Sequence, residues 1–241
     1  MPRVSLVLPA LNEADNLEAA VAQARGPLAR ISDDWEIVLV DDGSTDGTGA
    51  LADRLAAADD RVRAVHHPEN RGLGAAVRTG FDAARGDVLI YADSDLPFDM
   101  AALVEAWQLM QSSGADLVTG YRTNREVEGM VRHVQSVAYT RLINGLLGFP
   151  VRDVNFALKM ARREVVERAR LTSEGSFIDA ELVARAREEG FTMAQFGVVY
   201  TPRVAGESTL ARPGVIARIV YDLTRFRLGR RRRLRASAQL A

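Results

Sequence analysis

Cysteine is missing from all 241 residues, which excludes disulfides, thiol nucleophiles and Cys-ligated metals, so any metal must rest on carboxylates, imidazoles or water. Lysine is nearly missing too: thirty arginines stand against one lysine, Lys159, a composition bias to which the sequence attaches no mechanism. Aromatics make up 6% and are scattered, without the basic and aromatic platform on which nucleic-acid bases stack. No apolar run approaches the roughly 18 residues of a spanning helix, since even Val215–Leu223 is broken by Arg218 and Asp222. The opening Val4–Leu8 run, led by Met1-Pro2-Arg3, is too short and wrongly flanked for a secretory signal. These absences predict a cytoplasmic chain that does not cross a membrane by itself and has no nucleic-acid partner.

Several reaction motifs are absent as well. There is no Walker-type Gly-Lys-Ser/Thr loop, and Gly72-Leu73-Gly74 lacks the position and third glycine of a dinucleotide fingerprint. The three histidines, at 66, 67 and 133, have no zinc spacing, and no serine sits in a nucleophile elbow.

What remains is a strong two-period pattern. Short aliphatic runs at Val4–Pro9, Glu36–Val40, Val62–His66, Val88–Ala92 and Leu117–Gly120 alternate with Ala-rich stretches at about 14–30, 48–58, 74–84 and 99–113. That rhythm predicts an α/β fold, doubly wound around a mostly parallel sheet with both faces covered. After Gly120 come a polar segment, a helical stretch to about Leu147, a strand near Phe156–Met160, a helix over Ser176–Glu189 and a strand over Met193–Tyr200. One domain over 1–211 follows, with a ligand-binding half to 120 and an acceptor-side half over 121–211, then a segment over 212–241.

Ligands of open parallel sheets bind where the strands' carboxyl ends emerge. The first strand there runs into Asn12 and Glu13, the second into Asp41 and Asp42, and the fourth into Asp93-Ser94-Asp95. Singly, Asn12, Asp46 and Thr48 read as helix caps, and Ser94-Asp95 as a cap for the helix near Asp99. Together, the acids along one edge would repel one another unless a cation or hydrogen-bond donors compensate them. In an extended chain Asp93 and Asp95 point to the same side, and hard oxygen ligands select Mg²⁺ or Mn²⁺.

The succession Val4–Glu13, Val38–Thr48, Asn70–Gly80, Gly86-Asp87 and Asp93–Asp95 resembles the inverting family 2 glycosyltransferases with the GT-A fold. The second half is most similar to their polyprenol-phosphate sugar synthases, of the dolichol-phosphate mannose synthase type, through Gly120–Arg122, Arg132, Ser136, Asp153–Phe156, Phe177–Glu181 and Arg203–Ser208. The resemblance implies a nucleoside diphosphate sugar donor, GDP-mannose or UDP-glucose in type, and a polyprenyl phosphate acceptor. It further implies that Pro9, Leu11, Glu13, Val40 and Asp42 line the nucleotide site, Asp42 reading the base, with Asp93, Ser94 and Asp95 facing diphosphate and metal. Arg122, Arg132 and Ser136 match positions holding acceptor and donor phosphates, and Arg203 matches one that closes over the donor. Those synthases often carry an aromatic at the position of Leu11 and Gln at that of Pro97.

An acceptor hydroxyl would need a general base, for which Asp153, Asp179 and Glu181 are the candidates. Transfer to a soluble or glycan hydroxyl is therefore the alternative, and a non-catalytic nucleotide or nucleic-acid binder the alternative of another class. Residues 212–241 hold nine arginines and one aspartate, net +8, against −1 for the whole chain. Within them Val215, Ile219, Val220, Leu223 and Phe226 recur at helical spacing, an amphipathic segment suited to peripheral contact with the cytoplasmic membrane face or to docking on the protein.

Overall fold

The aliphatic runs of the first half become strands covered on both sides. A computed structural model describes residues 2–124, 137, 139–141, 143–145, 150–201 and 221–226. In it β1 (Val4–Ala10), β2 (Trp35–Asp41) and β4 (Val88–Ala92) are buried along their whole length. Between strands run α1 (Leu17–Ile31), α2 (Thr48–Ala58), β3 (Val62–His66), α3 (Leu73–Ala83) and α4 (Ala102–Ser113). The second half supplies β5 (Leu117–Arg122), β6 (Leu158–Arg162), α5 (Arg163–Ala169), α6 (Ile178–Glu188) and β7 (Met193–Val198). Residues 137, 139–141, 143–145 and 221–226 are helical.

The sheet order is β3-β2-β1-β4-β6-β5-β7. β6 runs antiparallel to β4 and β5, while the other pairings are parallel. Long-range insertion of β6 between β4 and β5 has no signature in local periodicity, so the sequence pattern predicts its existence but not its place. Several boundaries also differ from the expected ones, those of β6 and the end of β7 by two residues. β5 continues through Tyr121 and Arg122 because both pair with β7, and α5 forms where only a connection was expected.

On one face Leu6, Leu8, Ile37 and Leu39 pack under α1 and α4; each such side chain, fully withdrawn from water, contributes about 1.5–3 kcal/mol. On the other, Val7, Val38, Val40 and Tyr91 meet Val77 and Phe81 of α3 and Ile178 of α6. Beyond α6 a further cluster joins Ile143, Val165, Phe177 and Leu182 to Phe226. Among the described residues no helix is long and apolar enough to cross a membrane.

Candidate active site

β2, β1 and β4 are parallel neighbours, so their carboxyl ends emerge together. Register places Pro9 beside Val40 and Val7 beside Tyr91, and strand alternation sets Val38, Val40 and Tyr91 on the face covered by α3. Asp42 follows Val40 by two residues, as Asp93 follows Tyr91. Leu11 stands exposed at the mouth.

The loops after β1 and β2 are laced to each other. The Asn12 amide donates to Ser44 Oγ at 2.9 Å, and the Thr45 amide donates to Asn12 Oδ1 at 2.9 Å. Asn12 has φ +56°, a left-handed conformation that Asn tolerates better than most side chains. Glu13 donates its amide to Thr48 Oγ1 at 2.8 Å and accepts the Asn16 side-chain amide on Oε2 at 2.7 Å. Asp46 accepts the Thr48 hydroxyl at 2.6 Å and the Ala14 amide at 3.2 Å. Asn12 therefore acts as a tie between loops, the N-cap residues of α1 and α2 make no side-chain cap bond, and Asp46 Oδ1 accepts the Thr48 amide at 3.0 Å at the start of α2, as its cap reading expects.

Burial opposes ionisation of Asp41, yet the Ser44 hydroxyl and amide and the His66 ring outweigh it and hold the carboxyl below its ordinary value. His66 bridges Asp41 at 3.2 Å and Asp53 at 2.9 Å; burial lowers its pKa, and these two carboxylates raise it above the ordinary imidazole value.

Asp42 is almost fully buried, and both its oxygens are engaged. Oδ1 receives the Arg71 amide at 3.0 Å and pairs with His67 Nδ1 at 2.6 Å, and Oδ2 receives the Gly72 amide at 2.8 Å. His67 Nε2 meets Thr79 Oγ1 at 2.9 Å, so Thr79 and His67 orient the carboxylate from behind. Gly72 has φ +94°, and a Cβ there would stand 2.5 Å from the Glu174 carbonyl oxygen. That carbonyl accepts the Gly74 amide at 2.9 Å, pinning the start of α3 to the 172–175 loop.

After Ala92 the chain leaves the extended conformation: Ser94 and Asp95 lie in a turn, and Leu96 has φ +54°. Asp93 and Asp95 are therefore separated by a turn and not by extended chain, and the Tyr91 phenol marks the place of Asp93. The Tyr91 hydroxyl donates to Asp93 Oδ1 at 3.1 Å, and its pKa is pushed well above the ordinary value by burial first, then by the charges of Asp179, Asp93 and Asp95. Ser94 donates its hydroxyl to the Pro9 carbonyl at 2.9 Å, tying β4 to β1. Neither Ser94 nor Asp95 caps α4, whose first turn is met instead by Asp99 accepting the Ala101 amide at 2.8 Å.

This donor set fits a hard divalent cation of one kind. Among the described residues no three His, Asp or Glu side chains converge as metal ligands, and two carboxylates suit an ion that keeps water and takes phosphate oxygens, as Mg²⁺ or Mn²⁺ does.

The second-half carboxylates are spent differently. Arg122 grips Asp153 bidentately, Nε to Oδ2 at 2.7 Å and Nη2 to Oδ1 at 2.9 Å, with its guanidinium 5.6 Å from the Tyr200 ring centroid. Lys159 donates to Asp179 Oδ1 at 2.5 Å and to the Phe156 carbonyl at 2.7 Å. Burial raises the Asp179 pKa, against the pull of Lys159. Glu181 accepts the Thr172 and Ser173 amides at 3.0 and 2.7 Å and Arg185 Nε at 2.7 Å. Arg132, Ser136 and Arg203 lie outside the described residues. Asp222 accepts the Ser173 hydroxyl at 3.0 Å and Phe226 packs edge-on against Phe177, so the described part of the amphipathic segment docks on the protein. Sequence reasoning passed over Lys159, Tyr91 and His67; the single lysine among thirty arginines was the one available signal.

The chain is 38% identical over 207 residues to the glycosyltransferase AglD of Haloferax volcanii, covering 83% of this chain and 33% of that protein. It is 34% identical over 226 residues to the polyprenol monophosphomannose synthase of Mycolicibacterium smegmatis, covering 87% and 81%. The chain thus spans a third of the first relative and most of the second. Among solved structures, glucosyl-3-phosphoglycerate synthase from Mycobacterium tuberculosis, in complex with Mn²⁺ and UDP-glucose, superposes with a TM-score of 0.68 at 24% identity, over 95% of this chain and 79% of that one. The shared architecture is the GT-A fold. The model of glycosyl transferase family 2 matches residues 5–170, and to that family this chain belongs.

Proposed function

We propose that the chain transfers a hexose from a nucleoside diphosphate sugar, of the GDP-mannose or UDP-glucose type, to polyprenyl phosphate, with Mg²⁺ or Mn²⁺ held by Asp93 and Asp95. The observation that carries the acceptor assignment is the commitment of Asp153, Asp179 and Glu181 to Arg122, Lys159 and Arg185. A carboxylate closed by a cation is a poor base, whereas a phosphate acceptor arrives already anionic and needs none. The 34% identical mannose synthase supports the same reading.

Transfer is a single in-line displacement. An acceptor phosphate oxygen forms the new bond to the anomeric carbon as the bond to the donor's β-phosphate oxygen breaks, and the electron pair leaves with the nucleoside diphosphate. When bound, the cation neutralises charge on that departing group. Asp42, locked by three donors, presents a fixed acceptor edge to the base. Pro9 and Val40 give the base an apolar seat, and Leu11 lies over the mouth. Arg122, braced by Asp153 at the end of β5, is with Arg132, Ser136 and Arg203 a proposed phosphate ligand. Positioning and leaving-group stabilisation carry the rate. The arginines beyond Phe226 are proposed to hold the chain at an anionic cytoplasmic membrane face, each contributing about 1 kcal/mol near such a surface.

The test offers purified protein GDP-mannose or UDP-glucose with Mn²⁺. Nucleoside diphosphate release that requires polyprenyl phosphate, with label moving into the lipid phase, supports the proposal. Release with soluble sugar acceptors alone overturns the acceptor, and nucleotide binding without turnover on any acceptor overturns the transferase.

A further inference from the structure

We propose that Lys159 and Tyr91 are positioning residues that fix the orientation of the Asp93 carboxylate from beneath the site; this rests on the reading that Asp93 and Asp95 hold a divalent cation. Tyr91 and Lys159 face each other across the antiparallel β4–β6 pairing, with Thr119 on the other side of Lys159. Both side chains are essentially solvent-free. The lysine nitrogen stands 5.9 Å from the Tyr91 ring centroid, within range of a cation–π attraction, and is tethered by Phe156 and Asp179. The phenol it steadies donates to Asp93 Oδ1. The resulting order of contacts is Asp179, Lys159, Tyr91, Asp93, running from α6 through β6 and β4 to the rim.

Two observations separate this device from ordinary packing. The chain uses arginine at thirty positions and lysine at one, and that one is buried against an aromatic face between a carbonyl and a carboxylate. A compact ammonium with three rotatable donors fits such a pocket where a planar guanidinium does not. A buried ion pair is also weak support for a fold, since an apolar pair of similar volume is often as stable. Its presence directly behind a rim carboxylate is explained by what it orients. Partners behind metal-binding side chains commonly set affinity in this way.

The experiment measures Mn²⁺ binding to the full chain by electron paramagnetic resonance, with saturating nucleoside diphosphate, alongside thermal unfolding. Tyr91→Phe removes only the hydroxyl and is expected to weaken Mn²⁺ binding about 10–100-fold, with the melting point little changed and kcat largely restored at saturating Mn²⁺. The double variant Lys159→Met/Asp179→Leu deletes the ion pair without stranding either charge. It is expected to fold as the parent does and to bind Mn²⁺ more weakly. Unchanged Mn²⁺ affinity in Tyr91→Phe, while the parent binds, overturns the inference and leaves the cation reading standing. Unchanged affinity in a folded double variant overturns the part assigned to Lys159. A parent chain that fails to bind Mn²⁺ with nucleotide overturns both.

Discussion

In the first half of the chain Asp41 and Asp42 are held by amides, hydroxyls and imidazole rings, whereas in the second half Asp153, Asp179 and Glu181 are each closed by a guanidinium or an ammonium. The two solutions to burying acid leave different fields behind. A carboxylate satisfied largely by dipoles remains a negative charge that a ligand can use. One paired with a cation contributes architecture and little net field. On the proposed function, ligand chemistry belongs at the ends of β1, β2 and β4, and the ion pairs behind β5, β6 and α6 hold the wall beside it.

The sharpest break of this contrast is a pair of substitutions that should fail in opposite assays. Asp95→Asn keeps the shape of the turn and removes a rim charge, so sugar transfer should fall about 10²–10³-fold. Its melting point should hold or rise, because charge gathered for function is commonly a cost to the fold. Glu181→Ala strands Arg185 and frees the Thr172 and Ser173 amides, for a stability loss of about 3–5 kcal/mol by denaturant titration. Loss of folding in Asp95→Asn, or an undisturbed fold in Glu181→Ala, would erase the distinction between the halves.

A smaller effect probes the seam between them. A Cβ on Gly74 would lie 2.5 Å from the Ser173 carbonyl oxygen and 2.8 Å from that of Gly175, both backbone atoms with little room to yield. Gly74→Ala should therefore cost about 1–3 kcal/mol through overpacking. Because Gly72 donates to Asp42 from the same turn, the variant should also weaken nucleotide binding. Calorimetry that finds nucleotide affinity intact in a destabilised variant would show that the seam serves the fold alone.

The contrast also explains what was legible from sequence. Period-two and period-3.6 patterns are local, so β1–β5 and α1–α4 are readable where they occur, and the rim acids Asp42, Asp93 and Asp95 follow from standing directly after strands. The place of β6 depends on pairing across more than sixty residues of sequence, which no local rule carries. The partners of buried charges are equally non-local. Lys159 finds Asp179 twenty residues on and Arg122 finds Asp153 thirty-one on, so a composition-based reading passes over Lys159 as bias. Asn12 taught the reverse lesson: its residue type suits a cap, and the neighbouring loop claims it first.

The gentlest test uses pH on the side held by amides, hydroxyls and imidazoles. The His66 pKa is raised in the fold by Asp41 and Asp53, so its contribution to stability is fully present below the pKa of the unfolded chain and is lost as pH rises through the folded value. Asp41 runs the other way: its folded pKa is lowered, and its contribution is present above the unfolded value and lost as pH falls through the folded one. His66→Gln should accordingly lower the melting point most near pH 6, with the gap to the parent closing toward pH 8, the interval in which histidine titrates. The side chain of His66 is 38% exposed, so solvent screening keeps the effect small. A gap that stays constant across that interval would mean that His66 acts as a neutral spacer, and that the Asp41 corner holds its charge by amides and hydroxyls alone.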